Sequence, residues 1–106
     1  MSDTNMTILV IEDELLSRQL LVNMLKNMGY RALSGADGES GRQVAVAERP
    51  DLILLDIVMP GENGFETCEK LKENPATSDI PIIFVSGQSD TESKVKGLTI
   101  GGWDYI

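Results

Sequence analysis

The sequence contains no histidine, one cysteine and few basic residues. Without histidine the chain lacks the usual general base, the commonest transition-metal ligand and any means of carrying a phosphohistidine itself. The single cysteine, Cys68, excludes an internal disulfide, which is typical of a reducing compartment, and its helical spacing to Phe65 and Leu71 predicts a buried thiol. Nine lysines and arginines against seventeen aspartates and glutamates give a net charge of −8, which disfavours direct binding to nucleic acid phosphates.

Long apolar runs are also missing. The N-terminal residues lack the basic and then apolar pattern of a signal peptide, and no run approaches the roughly 20 residues of a membrane-spanning helix. We therefore expect a cytoplasmic protein that does not contact a membrane. The 106 residues are enough for one domain with a single modest core.

Short apolar runs alternate with helical patterns along the chain. Strands are predicted at 7–11, 30–34, 51–56, 81–86 and 103–106, and helices at 15–28, 39–48, 64–73 and 89–100. This alternation, with connections that demand right-handed crossovers, predicts an α/β fold: a doubly wound, flavodoxin-like parallel sheet of five strands in the order 2-1-3-4-5. The polar Arg31 and Ser34 are consistent with a position of the second strand at the sheet edge.

Acidic residues follow two of the predicted strands. Asp56 ends an apolar run that begins at Leu52, and the pair Glu12-Asp13 ends the run from Ile8 to Ile11. Parallel neighbours that finish at the same edge would bring these carboxylates together, where charges about 4 Å apart repel by roughly 4 kcal/mol at an effective dielectric constant near 20. The cluster therefore needs a cation or a retained proton, and hard oxygen ligands favour Mg²⁺.

Structural roles are alternatives for each of these residues. Asp56 alone could cap a turn, and Glu12 and Asp13 could complement the positive end of the following helix. Ser86, which ends the fourth predicted strand, could satisfy backbone groups. Taken together, the acids, the hydroxyl and a metal ion favour phosphoryl transfer to Asp56 as nucleophile, with Mg²⁺ held by Asp13 and Asp56 and with Ser86 donating to a phosphoryl oxygen.

Several blocks of the sequence resemble the receiver domain of two-component response regulators. They are the acidic pair Glu12-Asp13, the stretch Leu54–Gly64, the strand end Val85-Ser86-Gly87 and the stretch Gly101–Ile106, which follow one another at the family's spacing. The resemblance covers essentially the whole chain.

The resemblance implies roles for particular residues. Asp56 accepts a phosphoryl group from a histidine kinase or a histidine phosphotransfer protein. Mg²⁺ is bound by Asp13, Asp56 and the backbone carbonyl of Val58, with Glu12 helping through water. Ser86 and Tyr105 form a switch that alters an output surface, which a downstream domain or protein reads.

The family pattern continues to a Lys-Pro pair and a fifth helix, whereas this sequence stops about two residues before that pair. We therefore expect residues 1–106 to be a C-terminally incomplete receiver domain, either a piece of a longer protein or a degenerate receiver. No lysine of this chain matches the missing position. A flank without its fifth helix exposes apolar surface, which predicts a homodimer, a swapped assembly or marginal stability.

Other functions fit the sequence less well. A receiver catalyses only its own phosphorylation and dephosphorylation and is not a metabolic enzyme. A phosphatase of the aspartyl-phosphate type needs a second acid at the position of Val58, and a flavodoxin-like nucleotide binder needs a glycine-rich loop after the first strand. An interaction module that works without phosphorylation is the main alternative, and Mg²⁺ binding without a phosphorylation response would support it.

Overall fold

Strands and helices alternate around one parallel sheet. The computed structural model describes residues 6–85 and the backbone of 104–105. The elements are β1 (Thr7–Ile11), α1 (Leu15–Asn27), β2 (Arg31–Gly35), α2 (Gly38–Glu48), β3 (Leu52–Asp56), α3 (Gly64–Glu73), β4 (Ile82–Val85) and β5 (Asp104–Tyr105). These bounds lie close to the predicted ones, and the helix predicted at 89–100 lies outside the described residues.

The strand order is β2-β1-β3-β4-β5, and every pair is parallel. This confirms the predicted order and the edge position of β2. In the register, Ile11 lies opposite Leu55 on β3 and opposite Gly35 on β2. The residues that follow β1 and β3 therefore leave the sheet side by side at its carboxyl edge, where open α/β sheets bind their ligands.

The two faces of the sheet carry separate apolar clusters. Alternate strand residues face α2 and α3, where Phe84 packs edge-on against Phe65 with ring centroids 5.3 Å apart. Cys68 is buried in this cluster, as predicted, and burial raises the pKa of its thiol to about 11. The opposite face, with Ile8, Val10 and Leu54, packs against α1. Strands that are apolar on both faces require helices on both sides of the sheet.

Helix α1 is amphipathic, but its buried face is narrower than the arc of its apolar residues. Leu25 is buried and Leu21 is partly buried, whereas Leu20, Met24 and Met28 are 50–65% exposed. A helix lying on a sheet buries only one side of its circumference. The apolar residues of α1 cover a wider arc, so a second apolar stripe faces outward.

Two of the helices begin with capping boxes. Asn63 and Glu66 form one at α3, and Asp37 and Ser40 form another at α2. Hydrogen bonds from Ser40 lower the pKa of Asp37. Among the helices that the structure describes, none is both long and apolar enough to cross a membrane.

Candidate functional site

Three carboxylates meet at the carboxyl edge of the central strands. Glu12 follows β1 directly, Asp13 is the next residue, and Asp56 is the last residue of β3. One oxygen from each carboxylate lies within 4.8 Å of the other two. The parallel pairing of β1 with β3 explains this convergence, because the register of Ile11 with Leu55 ends both strands at the same level of the carboxyl edge. The structure thus brings together the three acids that the sequence singled out, which we call the acidic cluster.

The turn between β1 and α1 positions Glu12 and Asp13. The backbone N–H of Glu12 donates to the carbonyl of Gly35 at 3.1 Å, and its carboxylate accepts from the backbone N–H of Glu14 at 3.0 Å. Arg18 on α1 donates to the carbonyl oxygens of Glu12 and Asp13 at 2.9 and 3.4 Å. Sequence reasoning missed Arg18. The signal for it was a basic residue in the first turn of a helix, where the macrodipole favours acids.

The loop between β3 and α3, residues 57–63, positions Asp56. The backbone N–H groups of Val58 and Ile57 interact with the carboxyl group of Asp56 and act to lower its pKa. At the other end of the loop, the N–H of Gly64 donates to the carbonyl of Ile57 at 2.8 Å. A Cβ atom at Gly64 would lie 2.2 Å from the backbone oxygen of Asp56, so only glycine permits this approach. The helix start is therefore packed directly against the backbone of Asp56.

The metal-free cluster is electrostatically unfavourable. Burial, with repulsion from Asp56 and Asp13, raises the pKa of Glu12 to about 7. Burial also raises the pKa of Asp56, together with repulsion from Asp13, although the N–H of Val58 offsets part of the effect. The interaction with the side chain of Glu12 also acts to lower the pKa of Asp56. At neutral pH the cluster therefore holds a proton in part and would release it to a cation.

The donors fit a hard divalent cation. All three side chains offer carboxylate oxygens, and a sequence without histidine adds no nitrogen ligand to them. Mg²⁺ prefers such oxygens and keeps several waters, which an open sheet edge admits. Val58 is close enough for its N–H group to act on the pKa of Asp56, but the role of its carbonyl as a ligand stays a prediction. Ser86 and the side chain of Tyr105 lie outside the described residues; in sequence, Ser86 follows Val85, the register partner of Asp56.

Glu62, on the same loop as Val58, is surrounded by hydrogen-bond donors and cations, in contrast to the acidic cluster. Arg42 on α2 donates to its carboxylate through Nε and Nη2 at 3.0 and 2.9 Å, Lys70 donates through Nζ at 2.9 Å, and the hydroxyl of Thr67 donates at 2.6 Å. Burial opposes ionisation, but these bonds outweigh it and lower the pKa of Glu62 to about 2. Sequence reasoning missed this centre as well, because its partners lie on separate helices.

Comparison with known proteins identifies the family. A sequence model of the response regulator receiver domain matches residues 8–106. The chain belongs to this family. Its sequence is 38% identical to the phosphate regulon transcriptional regulatory protein PhoB of Pseudomonas aeruginosa, over 94% of this chain and 44% of PhoB. It is 37% identical to protein PilH of the same organism, over 93% of this chain and 82% of PilH.

Solved structures agree with the sequence comparison. The receiver domain is similar to chemotaxis protein CheY4 of Vibrio cholerae, with a TM-score of 0.93, 25% identity and coverage of 97% of this chain and 86% of CheY4. It is also similar to the N-terminal domain of a response regulator receiver protein from Methanoculleus marisnigri, with a TM-score of 0.88, 37% identity and coverage of 95% and 82%. The predicted fold and family are confirmed. Because the receiver domain spans less than half of PhoB, the activity of PhoB as a whole does not transfer to it.

Proposed function

We propose that Asp56 is the phosphoryl acceptor of this receiver domain and that the donor is a histidine kinase or a histidine phosphotransfer protein. The observation that carries the proposal is the convergence of Asp56 with Glu12 and Asp13 within 4.8 Å at the edge of the central strands. Asp56 is the member that ends the middle strand of the sheet and interacts with N–H groups of its own loop. Since the sequence has no histidine, the phosphohistidine belongs to the partner.

The transfer makes one bond and breaks another. A carboxylate oxygen of Asp56 attacks the phosphorus, the bond between phosphorus and the donor imidazole nitrogen breaks, and the imidazole leaves with the electron pair and takes up a proton. The product is an acyl phosphate on Asp56. The N–H groups of Ile57 and Val58 favour the ionised form of the carboxylate, which is the form that attacks.

Charge is the main obstacle to this step, since a phosphoryl group approaches three acids. Asp13, Asp56 and the carbonyl of Val58 would hold Mg²⁺, with Glu12 acting through water, and the ion would supply positive charge that offsets both the acids and the phosphoryl oxygens. In the proposal Ser86 donates a hydrogen bond to a phosphoryl oxygen, and Tyr105 turns inward with it. That movement alters the output surface read by a downstream domain or protein.

The surface beside the acidic cluster supports a protein as the donor. Leu16 and Leu20 on α1 are 74% and 61% exposed, and Val58 on the neighbouring loop is 64% exposed. Exposed apolar side chains that flank a charged site are typical of protein contacts. We expect Leu16→Ser with Leu20→Ser to slow phosphorylation by a partner kinase and to leave phosphorylation by acetyl phosphate unchanged. Equal slowing with both donors would show that these leucines do not contact the kinase.

The direct test is the intact mass of the chain after incubation with acetyl phosphate and Mg²⁺. We expect one phosphoryl increment in the wild type and none in Asp56→Asn, with circular dichroism showing that both are folded. Glu48→Gln is the matched control, because it removes a carboxylate outside the cluster, and we expect it to accept the phosphoryl group. An increment that persists in Asp56→Asn would place the acceptor elsewhere.

A folded wild type that binds Mg²⁺ but gains no increment would instead support an interaction module that works without phosphorylation. Catalysis by the domain of its own dephosphorylation is tested by comparing how fast the increment is lost from the folded domain and from the same phosphorylated chain unfolded in urea. Self-association as a homodimer or a swapped assembly stays a prediction, for which sedimentation with and without acetyl phosphate is the measurement.

A further inference from the structure

Arg18 lies in the first turn of α1 and holds the turn that carries two of the three clustered acids. Its Nη1 donates a hydrogen bond to the backbone carbonyl oxygen of Glu12 at 2.9 Å and makes a longer contact of 3.4 Å with that of Asp13. A single guanidinium nitrogen therefore touches the main chain of both residues. No other side chain in the described part of the chain makes hydrogen bonds to both of these carbonyls.

The helix macrodipole does not explain an arginine at this position. The positive end of the helix macrodipole disfavours a cation in the first turn, and α1 has no acidic residue there. The N-cap residue, Glu14, forms no capping hydrogen bond through its side chain; its carboxylate accepts from the hydroxyl of Ser17 instead. The turn thus lacks the usual cap, and Arg18 supplies a restraint from inside the helix.

The other restraint on the turn is a hydrogen bond to the carboxylate of Glu12, which a bound cation would also contact. The backbone N–H of Glu14 donates to Oε2 of Glu12, and that carboxylate belongs to the acidic cluster. Redirecting the carboxylate toward a cation or its water would weaken this bond. The bonds of Arg18 go to carbonyl oxygens, so they do not compete with cation binding.

Arg18 is poorly placed to act as a counter-ion. Within residues 6–85 it forms no ion pair with the carboxylates of Glu12, Asp13 or Asp56, and its described hydrogen bonds go to the main chain. A positive charge near a divalent cation site also repels the cation. Its benefit to the site must therefore come from geometry.

We propose that Arg18 is a positioning residue of the acidic cluster: by holding the main chain at Glu12 and Asp13, it keeps their carboxylates directed toward Asp56 for cation binding. This inference rests on the proposed function, because it assigns Arg18 to the same Mg²⁺ site. The guanidinium is suited to this task, since its planar nitrogens donate in fixed directions, whereas a lysine ammonium acts as a point charge.

Two substitutions separate position from charge, with Mg²⁺ binding to the metal-free chain measured by calorimetry. Arg18→Lys keeps the charge and loses the planar donors, and Arg18→Met removes both. Loss of positioning weakens Mg²⁺ binding in both variants, by about tenfold as for other residues that orient metal ligands. If Arg18 acted only through its charge, Mg²⁺ binding would be unchanged in Arg18→Lys and tighter in Arg18→Met. Arg31→Met is the control, because Arg31 pairs with Glu48 at the far end of the sheet.

Phosphorylation by acetyl phosphate gives a second readout. We expect the Mg²⁺ concentration for half-maximal rate to rise in Arg18→Lys by the same factor as the dissociation constant, while the rate at saturating Mg²⁺ stays within about twofold. General loss of folding would lower the saturating rate instead and would overturn the inference, as would unchanged or tighter Mg²⁺ binding in both variants. Failure of the wild type to bind Mg²⁺ would overturn the metal site itself, which is a distinguishable result.

Discussion

The acidic cluster and Glu62 are two carboxylate centres joined by one loop, and their surroundings are opposite. In the cluster, acids face one another and the pKa of Glu12 rises to about 7. At Glu62, the cationic side chains of Arg42 and Lys70 neutralise the carboxylate, and the pKa of Glu62 falls to about 2. A carboxylate centre that the protein neutralises with its own cations stabilises the fold. One that it leaves without a cation costs stability and is available to bind a cation from solution.

Gly64→Ala is the strongest way to disturb the acidic cluster without changing its charge. The new Cβ would lie 2.2 Å from the backbone oxygen of Asp56 and 2.7 Å from Cα of Ile57, and backbone atoms at the end of a central strand cannot move easily. We expect the free energy of unfolding to fall by about 3 kcal/mol and Mg²⁺ binding to weaken. Urea unfolding and calorimetry are the measurements.

Gly38→Ala is the matched control at the other centre. Its Cβ would lie 2.3 Å from Oε2 of Glu62 and from Oγ1 of Thr67, which are side-chain atoms with some freedom to shift. It should therefore cost less than Gly64→Ala and leave Mg²⁺ binding unchanged. A larger loss in Gly38→Ala would show that the Glu62 centre is the more rigid of the two.

Glu62→Gln tests whether the Glu62 centre is structural. The amide keeps the shape but leaves Arg42 and Lys70 without their anion, in a place where the Glu62 side chain is only 14% exposed. We expect a loss of about 2 kcal/mol in the free energy of unfolding, with Mg²⁺ affinity unchanged. The exposed Glu69→Gln on α3 is the control. A variant that keeps its stability and loses Mg²⁺ affinity would contradict the separation of the two centres.

The acidic cluster and the Glu62 centre should change the stability of the domain with pH in opposite directions. The pKa of Glu12 is raised above its ordinary value of 4.5 to about 7, so the metal-free native state binds protons more tightly and stability falls as pH rises through that window. We expect a loss of about 1 kcal/mol between about pH 5 and pH 8, allowing for solvent screening. Saturating Mg²⁺ or Glu12→Gln should abolish the loss in urea unfolding.

Glu62 should act in the opposite direction. Its pKa is lowered, so its contribution is fully present above about pH 4.5 and is lost as pH falls toward 2. Glu62→Gln should therefore remove the fall in the free energy of unfolding below about pH 4.5 and leave the fall between about pH 5 and pH 8 unchanged. If the fall between about pH 5 and pH 8 survives in Glu12→Gln, another group titrates there.

The sequence determines the acidic cluster more fully than the Glu62 centre. Asp56 and the Glu12-Asp13 pair end apolar runs, and the topology of parallel sheets brings such ends together without knowledge of any single contact. The capping box of Asn63 with Glu66 is equally local, because its two residues lie three apart in the sequence. The bonds from Arg42 and Lys70 to Glu62 join separate elements, and their pairing depends on how α2 and α3 pack, which residue patterns do not specify.

The same limit explains two differences in α1. Its apolar residues predict an amphipathic helix, but only the packing on the sheet decides that Leu25 is buried while Met24 is exposed. The bond of Arg18 to the carbonyl of Glu12 likewise depends on the path of the turn. Side-chain contacts across a turn follow from three-dimensional geometry, whereas strand ends follow from the order of elements.

A third carboxylate, Glu48, shows that pairing without burial has little effect on stability. Glu48 pairs with Arg31 at 3.1 Å, but the two side chains are 43% and 55% exposed, whereas Glu62 is 14% exposed. Water screens the exposed pair and ordering two long side chains costs entropy, so we expect Glu48→Gln to lower the free energy of unfolding by about 0.5 kcal/mol or less. High salt should remove even that difference in urea unfolding, while most of the effect of Glu62→Gln persists. Equal losses at the two positions would mean that pairing alone, and not burial, sets the strength of these ion pairs, and the contrast between the two carboxylate centres would then rest only on the sign of the neighbouring charges.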